Sequence, residues 1–469
     1  MRKRILLVTL QAPKMPGMGG EVRSYYLIRM ATELGDVTLI SLGGPDGDVR
    51  VQPDIAAACQ QVIQPCDQPN EFTPERTRTT RFGAWLRLLI VLLLPWRNRW
   101  SDFLTYFIQY CPASLAMDPR MTSVSKRVLR TILEWEFDLL SRFCSIPPIT
   151  CFLFDRSYGR IERAVDRICR QGGFDVLWVE QSLAWPFAED LLQRLSNSQL
   201  PVICSGYNVE AQVCERIAEK AADHHERWYW QRQQALMARM ERRAYRRSRL
   251  VIQCSENDAD LTRRMVPVAQ TCVVGNGVNV DYFQNLNGSP GDTSPTILFT
   301  AGFGYGPNRE AVEYFVRSIF PLIRQQCPDV RFLMAGAQAQ EVFESLQNSG
   351  GSIECVSNPV DIRPCFERCL VYVVPLLAGG GTRLKILEAM AMGRPVVSTS
   401  LGAEGVPYVE GQHLLLADRP EEFAAKVVGL LTDPVLREKL TANALQFVKQ
   451  HYDWRILCDA AKAQLQKCF

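Results

Sequence analysis

The amino-acid sequence predicts an α/β protein built on doubly wound parallel sheets, one in each half of the chain. Three observations carry that expectation. Short apolar runs recur along the chain without the polar alternation of half-exposed strands. Amphipathic stretches of helical period separate most of them. One segment rich in Gly, Ser, Pro and Asp, "NLNGSPGDTSP", divides the runs into two sets.

The chain opens "MRKRILLVTLQAPKMPG". A basic start before an apolar run has the look of a secretory leader, but "ILLVTL" is short for one and no small-residue cleavage site follows. A first buried strand is the expectation. The runs "VTLISL", "VLWVE", "PVICS", "LVIQCS" and "TCVVGN" follow as further strands. Residues 21–34 and 184–195 read as helices between them. Residues 215–249 are strongly helical and end in the basic run "RMERRAYRRSR", which reads as a solvated face. Ser255, three residues before Asp258, is a candidate helix cap. Past the linker come the strands "TILFTAG", "RFLMAG", "LVYVVPL" and "PVVSTS", with a helix over residues 309–325. The segment "YDWRILCDAAKAQLQKCF" reads as a closing helix. The predicted domains are residues 1–288 and 289–450, with the closing helix over 451–469.

Composition excludes more than it identifies. Of 469 residues, 47% are hydrophobic and 22% charged, an ordinary globular balance with room for two or three domains. A net charge of +3 gives no reason to expect a nucleic-acid partner. The sixteen cysteines show no C-x-x-C spacing. Cys365 and Cys369 lie one helical turn apart, but none of the four histidines is near them in sequence, so no zinc site is expected. Reduced, buried thiols in a cytoplasmic protein are the simpler reading. Residues 81–100 hold the apolar core "LLIVLLLPW" between arginines and tryptophans. That core is too short for a bilayer, which needs about 20 apolar residues. Its flanks suit a helix lying among anionic headgroups, as well as an ordinary buried helix.

The stretch "PLLAGGGTRLKILEAMAMGRPVV" carries the chemistry. "LVYVVPL" is a strand, and "TRLKILEAMAMG" is a helix that Gly393 should terminate. Gly379, Gly380, Gly381 and Thr382 then form the turn between them. Glycines there admit a ligand close to the backbone and leave amides pointing outward. Arg383 and Lys385 fall at the helix start, where the dipole disfavours cations by about 0.3–1 kcal/mol each. A bound diphosphate reverses that, accepting from the amides, from Arg383 in bidentate fashion and from Lys385 as a point charge. Glu388, deeper in the helix, is placed to accept from the hydroxyls of a ribose.

With "PVVSTSLGAEG" after it, this stretch resembles the donor site of retaining glycosyltransferases of the GT-B fold, in the family-four group. "GMGGEVR", "YNVE", "VVGNGVNVDYF" and "FTAGFGYGPNREAVEYF" resemble other segments of that family, so the likeness spans nearly the whole chain. It is nearest to bacterial sugar transferases of exopolysaccharide clusters. The resemblance implies two Rossmann-like domains facing a cleft, with a nucleoside diphosphate sugar on the second and a hydroxyl acceptor, possibly lipid-linked, on the first. It places Glu388 on the ribose and Gly19 and Gly20 in the loop that approaches the donor phosphates. It puts Tyr207, Asn208, Glu210 and Arg23 on the acceptor side. The chain departs from the family at four positions. The first acid of the Glu-x7-Glu motif falls at Gly380. The two cations after the first strand of the second domain fall near Phe303 and Asn308, so Arg383 and Lys385 would replace them. The acceptor-side histidine falls at Tyr207.

The implied reaction is sugar transfer with retention of configuration, assisted by Arg383 and Lys385 as catalytic cations. No cofactor is expected, and no DxD-type acid cluster sits in a phosphate context to hold a metal. The implied setting is cytoplasmic, peripheral at the inner face of the plasma membrane. A non-catalytic sugar-nucleotide-binding homologue or scaffold is the competing reading. A nicotinamide dehydrogenase is disfavoured, because the third glycine expected after "GFGYG" is Pro307 and "RFLMAG" ends without a ribose-binding acid.

Overall fold

A computed structural model describes residues 2–15, 17, 19–43, 49–67, 155–195, 199–221, 224–284, 295–346, 352–378 and 383–468. The candidate interfacial segment 81–100, the linker with its predicted boundary at 288/289, and Gly379 to Thr382 lie outside the described residues. The chain divides into two compact units: Met1–Val273 with Ala461–Phe469, and Val274–Ala460.

The first unit runs β1 (Lys3–Thr9), α1 (Gly19–Leu34), β2 (Gly35–Ser41), α2 (Pro53–Ala58), β3 (Gln61–Ile63), α3 (Asp155–Gln171), β4 (Val176–Glu180), α4 (Trp185–Arg194), β5 (Val202–Ser205), α5 (Glu210–Lys220), α6 (His224–Arg247), β6 (Leu250–Gln253), α7 (Glu256–Met265) and β7 (Thr271–Val273). The strands form one parallel sheet of order β3-β2-β1-β4-β5-β6-β7. "ILLVTL" is the centre of that sheet: Ile5 to Val8 are wholly buried, and Ile5 pairs Val176 in register. Strands covered on both faces need no polar alternation, which is why these runs read as continuous. Helices make the crossovers, as parallel neighbours require. Ser255 caps α7, its Oγ accepting from Asp258 N at 3.1 Å.

The second unit runs β8 (Thr296–Thr300), α8 (Gly306–Tyr314), α9 (Phe320–Gln326), β9 (Arg331–Gly336), α10 (Ala339–Leu346), β10 (Ile353–Ser357), α11 (Arg363–Glu367), β11 (Val371–Val374), α12 (Leu384–Ala391), β12 (Val396–Ser398), β13 (Leu415–Leu416), α13 (Pro420–Thr432), α14 (Pro434–His451) and the part of α15 (Trp454–Leu465) before Ala461. The sheet order is β10-β9-β8-β11-β12-β13, again parallel. The helix expected over 309–325 is in pieces: a π turn over Phe315–Ile319 joins α8 to α9. Pro321 lies in the first turn of α9 and has no N–H to bond backward, so the turn before it widens. The π turn also aims Phe315 into the core, where its ring centroid lies 4.7 Å from that of Phe332. Fully burying such a side chain contributes about 1.5–3 kcal/mol. Gly393 ends α12 at φ +67°, the left-handed conformation that a glycine adopts without strain.

Both sheets reverse their strand order once, between β1 and β4 in the first and between β8 and β11 in the second. Loops leave the carboxyl ends of the strands in opposite directions there and open a crevice, the place where open parallel sheets bind ligands. Among the described residues no helix is long and apolar enough to cross a membrane.

Candidate functional site

In the second unit the loops after β8 and β11 lead into α8 and α12 at the switch point. Lys385, in the first turn of α12, donates from Nζ to Asn308 Oδ1 at 3.1 Å. Asn308 is in the first turn of α8 and donates from Nδ2 to Gly302 O at 2.9 Å. The Lys385 ammonium also stands 4.6 Å from the centroid of the Phe299 ring, a cation–π contact. Phe303 is wholly buried against Phe299, with ring centroids 6.0 Å apart. The position where the family carries its first cation is therefore core, and Asn308 instead orients a cation arriving from the other loop.

Arg383 is the residue before α12 and only 8% exposed. Its Nη2 donates to Leu401 O at 3.5 Å. Burial lowers its pKa, with Glu404 opposing. Burial also lowers Lys385, to about 7; Glu388 opposes this and the Arg383 charge adds to it. Burial raises the Glu388 carboxyl to about 7, against the pull of Lys385. Two cations at converging helix starts thus repel each other in a site that desolvates both. A bound anion is what such an arrangement favours, and the same helix ends would supply amides to it. The structure brings Arg383, Lys385, Glu388 and Asn308 onto one switch point, and Gly379 to Thr382 fall outside the described residues.

In the first unit Gly19 and Gly20 begin α1, just past the carboxyl end of β1. Tyr207 follows β5, and its hydroxyl donates to Gly20 O at 2.7 Å. A Cβ on Gly20 would stand 2.8 Å from Tyr207 Cε2, so this approach requires glycine. Asn208 is exposed on the same loop. Arg23 is 1% exposed and faces Glu180, so it is an internal residue rather than a surface contact. Glu180 is itself wholly buried; it accepts from Ser205 Oγ at 2.5 Å, and burial raises its pKa.

Glu210 begins α5, and its backbone N–H donates to Glu241 Oε1 at 2.8 Å. Glu241, on α6, is wholly buried and also accepts from Ala211 N at 3.1 Å and from Tyr245 Oη at 3.1 Å. It neutralises the amide end of α5. Burial raises Glu241 to about 7 and Glu210 to about 8; the Glu241 charge adds to the Glu210 shift. Sequence reading missed Glu241 because it sits in the basic run taken as a solvated face. Arg239, Arg242, Arg243 and Arg246 are indeed exposed, while Glu241 shares the buried stripe with Met237, Ala244 and Tyr245. That stripe is visible at helical spacing. Gln181, also missed, ends β4 at φ +75°, a conformation uncommon outside glycine.

Residues 294–433 match the family model described as "Glycosyl transferases group 1", and residues 134–282 match "Glycosyltransferase Family 4". The chain is 25% identical over 164 residues, 34% of its length and 42% of the relative's, to an "Uncharacterized 44.6 kDa protein in cps region" of Klebsiella pneumoniae. It is 29% identical over 212 residues, 42% of its length and 55% of the relative's, to the phosphatidyl-myo-inositol mannosyltransferase of Mycobacterium leprae. The chain thus spans about half the length of the curated relatives it matches. Among solved structures, Anabaena Alr3699/HepE in complex with UDP and glucose superposes with a TM-score of 0.55 at 14% identity, covering 99% of this chain and 100% of that one. The sucrose-phosphate synthase of Thermosynechococcus elongatus superposes at 0.56 and 16% identity, covering 99% of each chain. At these identities the superpositions speak for the fold. Each half of the chain thus matches a glycosyltransferase domain model, and its two parallel-sheet Rossmann-like units give the α/β fold of GT-B glycosyltransferase neighbours.

Proposed function

We propose that the protein transfers a sugar from a nucleoside diphosphate sugar to a hydroxyl acceptor with retention of configuration. The observation that carries this is the pair of cations, buried Arg383 and half-buried Lys385, at two converging helix starts on the second switch point. The diphosphate lies against them and against Gly379, Gly380, Gly381 and Thr382. The ribose lies on Glu388. As the bond from the anomeric carbon to the diphosphate breaks, negative charge grows on the leaving group, and the two cations stabilise it where water is excluded. They fill the role a metal ion fills elsewhere, so activity is metal-independent. The acceptor oxygen bonds to the anomeric carbon on the face that the diphosphate leaves, and its proton passes to the departing phosphate. Asn208 and Glu210 serve the acceptor, with Arg23 and Tyr207 supporting them from inside the fold.

A panel of nucleoside diphosphate sugars tests this reading. A donor present at 100 times its Kd should stabilise the protein by about 2.7 kcal/mol. The same donor should then yield a glycoside of unchanged anomeric configuration in the presence of a chelator. Binding without transfer to any acceptor would mark a non-catalytic homologue, and activity restored only by manganese would reject the cation mechanism.

The acceptor class and location are part of the same reading. The relatives, one encoded in a cps region and one named as a phosphatidyl-myo-inositol mannosyltransferase, together with the Arg- and Trp-flanked segment 81–100, support a lipid-linked acceptor in polysaccharide or glycolipid synthesis at the inner membrane face. Replacing Arg81, Arg87, Arg97 and Arg99 should abolish sedimentation with anionic liposomes. Equal recovery with neutral lipid would count against it.

A further inference from the structure

We propose that Tyr207 is a positioning residue: its hydroxyl ties the Gly19–Gly20 turn to the end of β4 and holds the first unit's switch point, with the loop carrying Asn208, in the geometry the acceptor needs. The inference rests on the function proposed above.

The phenol oxygen joins three chain segments that are remote in sequence. It donates to Gly20 O at 2.7 Å. It accepts from Gln181 Nε2 at 2.8 Å. It also lies in hydrogen-bond contact with Ser24 Oγ, one turn into α1. The single phenolic proton thus has acceptors in Gly20 O and Ser24 Oγ, while Gln181 Nε2 donates to the oxygen. The ring is fixed as well, because Gly20 admits it to within van der Waals contact and Cys254 Sγ donates to the Tyr207 carbonyl at 2.7 Å. Gln181 reaches the hydroxyl from a left-handed backbone position at φ +75°. Such strain persists where the surroundings hold it, and it concentrates at ligand sites.

This bonding leaves the hydroxyl little capacity for proton transfer. Burial and the nearby Glu180 carboxyl hold it well above the ordinary tyrosine range, with Ser24, Gln181 and Arg23 opposing. A group whose proton is already donated and whose pKa lies far from neutrality is a poor general base. It is a good strut, since removing its oxygen takes this partner from the Gln181 amide and cuts the tie to Gly20.

The test compares wild type, Tyr207→Phe and Gln181→Gly. The glycine removes the amide while relieving the left-handed backbone, so this variant remains informative if Tyr207→Phe folds poorly. Both should speed amide hydrogen exchange over residues 19–24. Both should lower kcat/KM for the acceptor by about 5- to 20-fold, mainly through KM, and the double variant should lose no more than the worse single. The pH–rate profile should keep both limbs. Loss of a limb in Tyr207→Phe would overturn the proposal by making the phenol an acid or base. Unchanged exchange, or faster exchange with unchanged kcat/KM, would overturn it as well. A wild-type protein that transfers from no donor refutes the proposed function and takes this inference with it, whereas an active wild type matched by Tyr207→Phe refutes the inference alone.

Discussion

Replacing Arg383 by alanine separates leaving-group stabilisation from binding. The guanidinium is only 8% exposed, so its bond to a diphosphate would form in a largely dry site. A hydrogen bond to a charged group contributes about 1.5–3 kcal/mol. At roughly 1.4 kcal/mol per tenfold, its loss should slow turnover roughly 10- to 150-fold. Donor affinity should fall less, because the interaction strengthens as charge develops on the leaving phosphate. Glu388→Gln supplies the contrast. The ribose gains little charge during reaction, so a contact there is equal in ground and transition states. That variant should raise the donor KM by about 2- to 15-fold and leave kcat near its wild-type value. The assay is initial velocity against donor concentration at fixed acceptor, with folding checked by thermal melting. If Arg383→Ala keeps full turnover, the start of α12 is not where the leaving group sits, and the reasoning fails.

Asn308→Ala should lower kcat/KM by about 2- to 10-fold by freeing Lys385, read by the same kinetics. Gly20→Ala should destabilise the first unit by about 1–3 kcal/mol, seen as an earlier melting transition, because its Cβ meets the Tyr207 ring at 2.8 Å. Half-buried Glu210 and wholly buried Glu241 set a pH dependence of stability. Their folded pKa values, about 8 and about 7, lie above the ordinary carboxylate range, so the folded state binds more protons than the unfolded one. The stability they contribute is complete below about pH 4.5 and is lost as pH rises through about 7 to 8. Glu210→Gln should flatten the fall in melting temperature between pH 5 and 8; an equally steep fall would contradict this assignment.

Much of the fold was legible because central parallel strands advertise themselves. "VLWVE" and "RFLMAG" are apolar on both faces and match β4 and β9 to the residue. The edges were not legible. β10 is half-buried along its whole length, β3 is exposed at its start, and β13 has two residues, so none presents an apolar run. In the candidate site the charges of Arg383, Lys385 and Glu388 were legible because cations at a helix start need a reason. The loss of the family's cation at Asn308 was legible too, but its contact with Lys385 was not, because seventy-seven residues separate them and only the switch point brings them together. Glu241, Gln181 and Ser24 are polar groups that the fold turns inward, and local sequence treats such groups as surface. The stripe through Met237, Glu241 and Tyr245 was the one signal that contradicted that reading.

The most direct measurement is the structure of the protein bound to a nucleoside diphosphate. The account predicts diphosphate oxygens within about 2.7–3.2 Å of Arg383 and Lys385 and the ribose hydroxyls on Glu388. A nucleotide whose phosphates lie away from both cations, or one bound at another site, would contradict it.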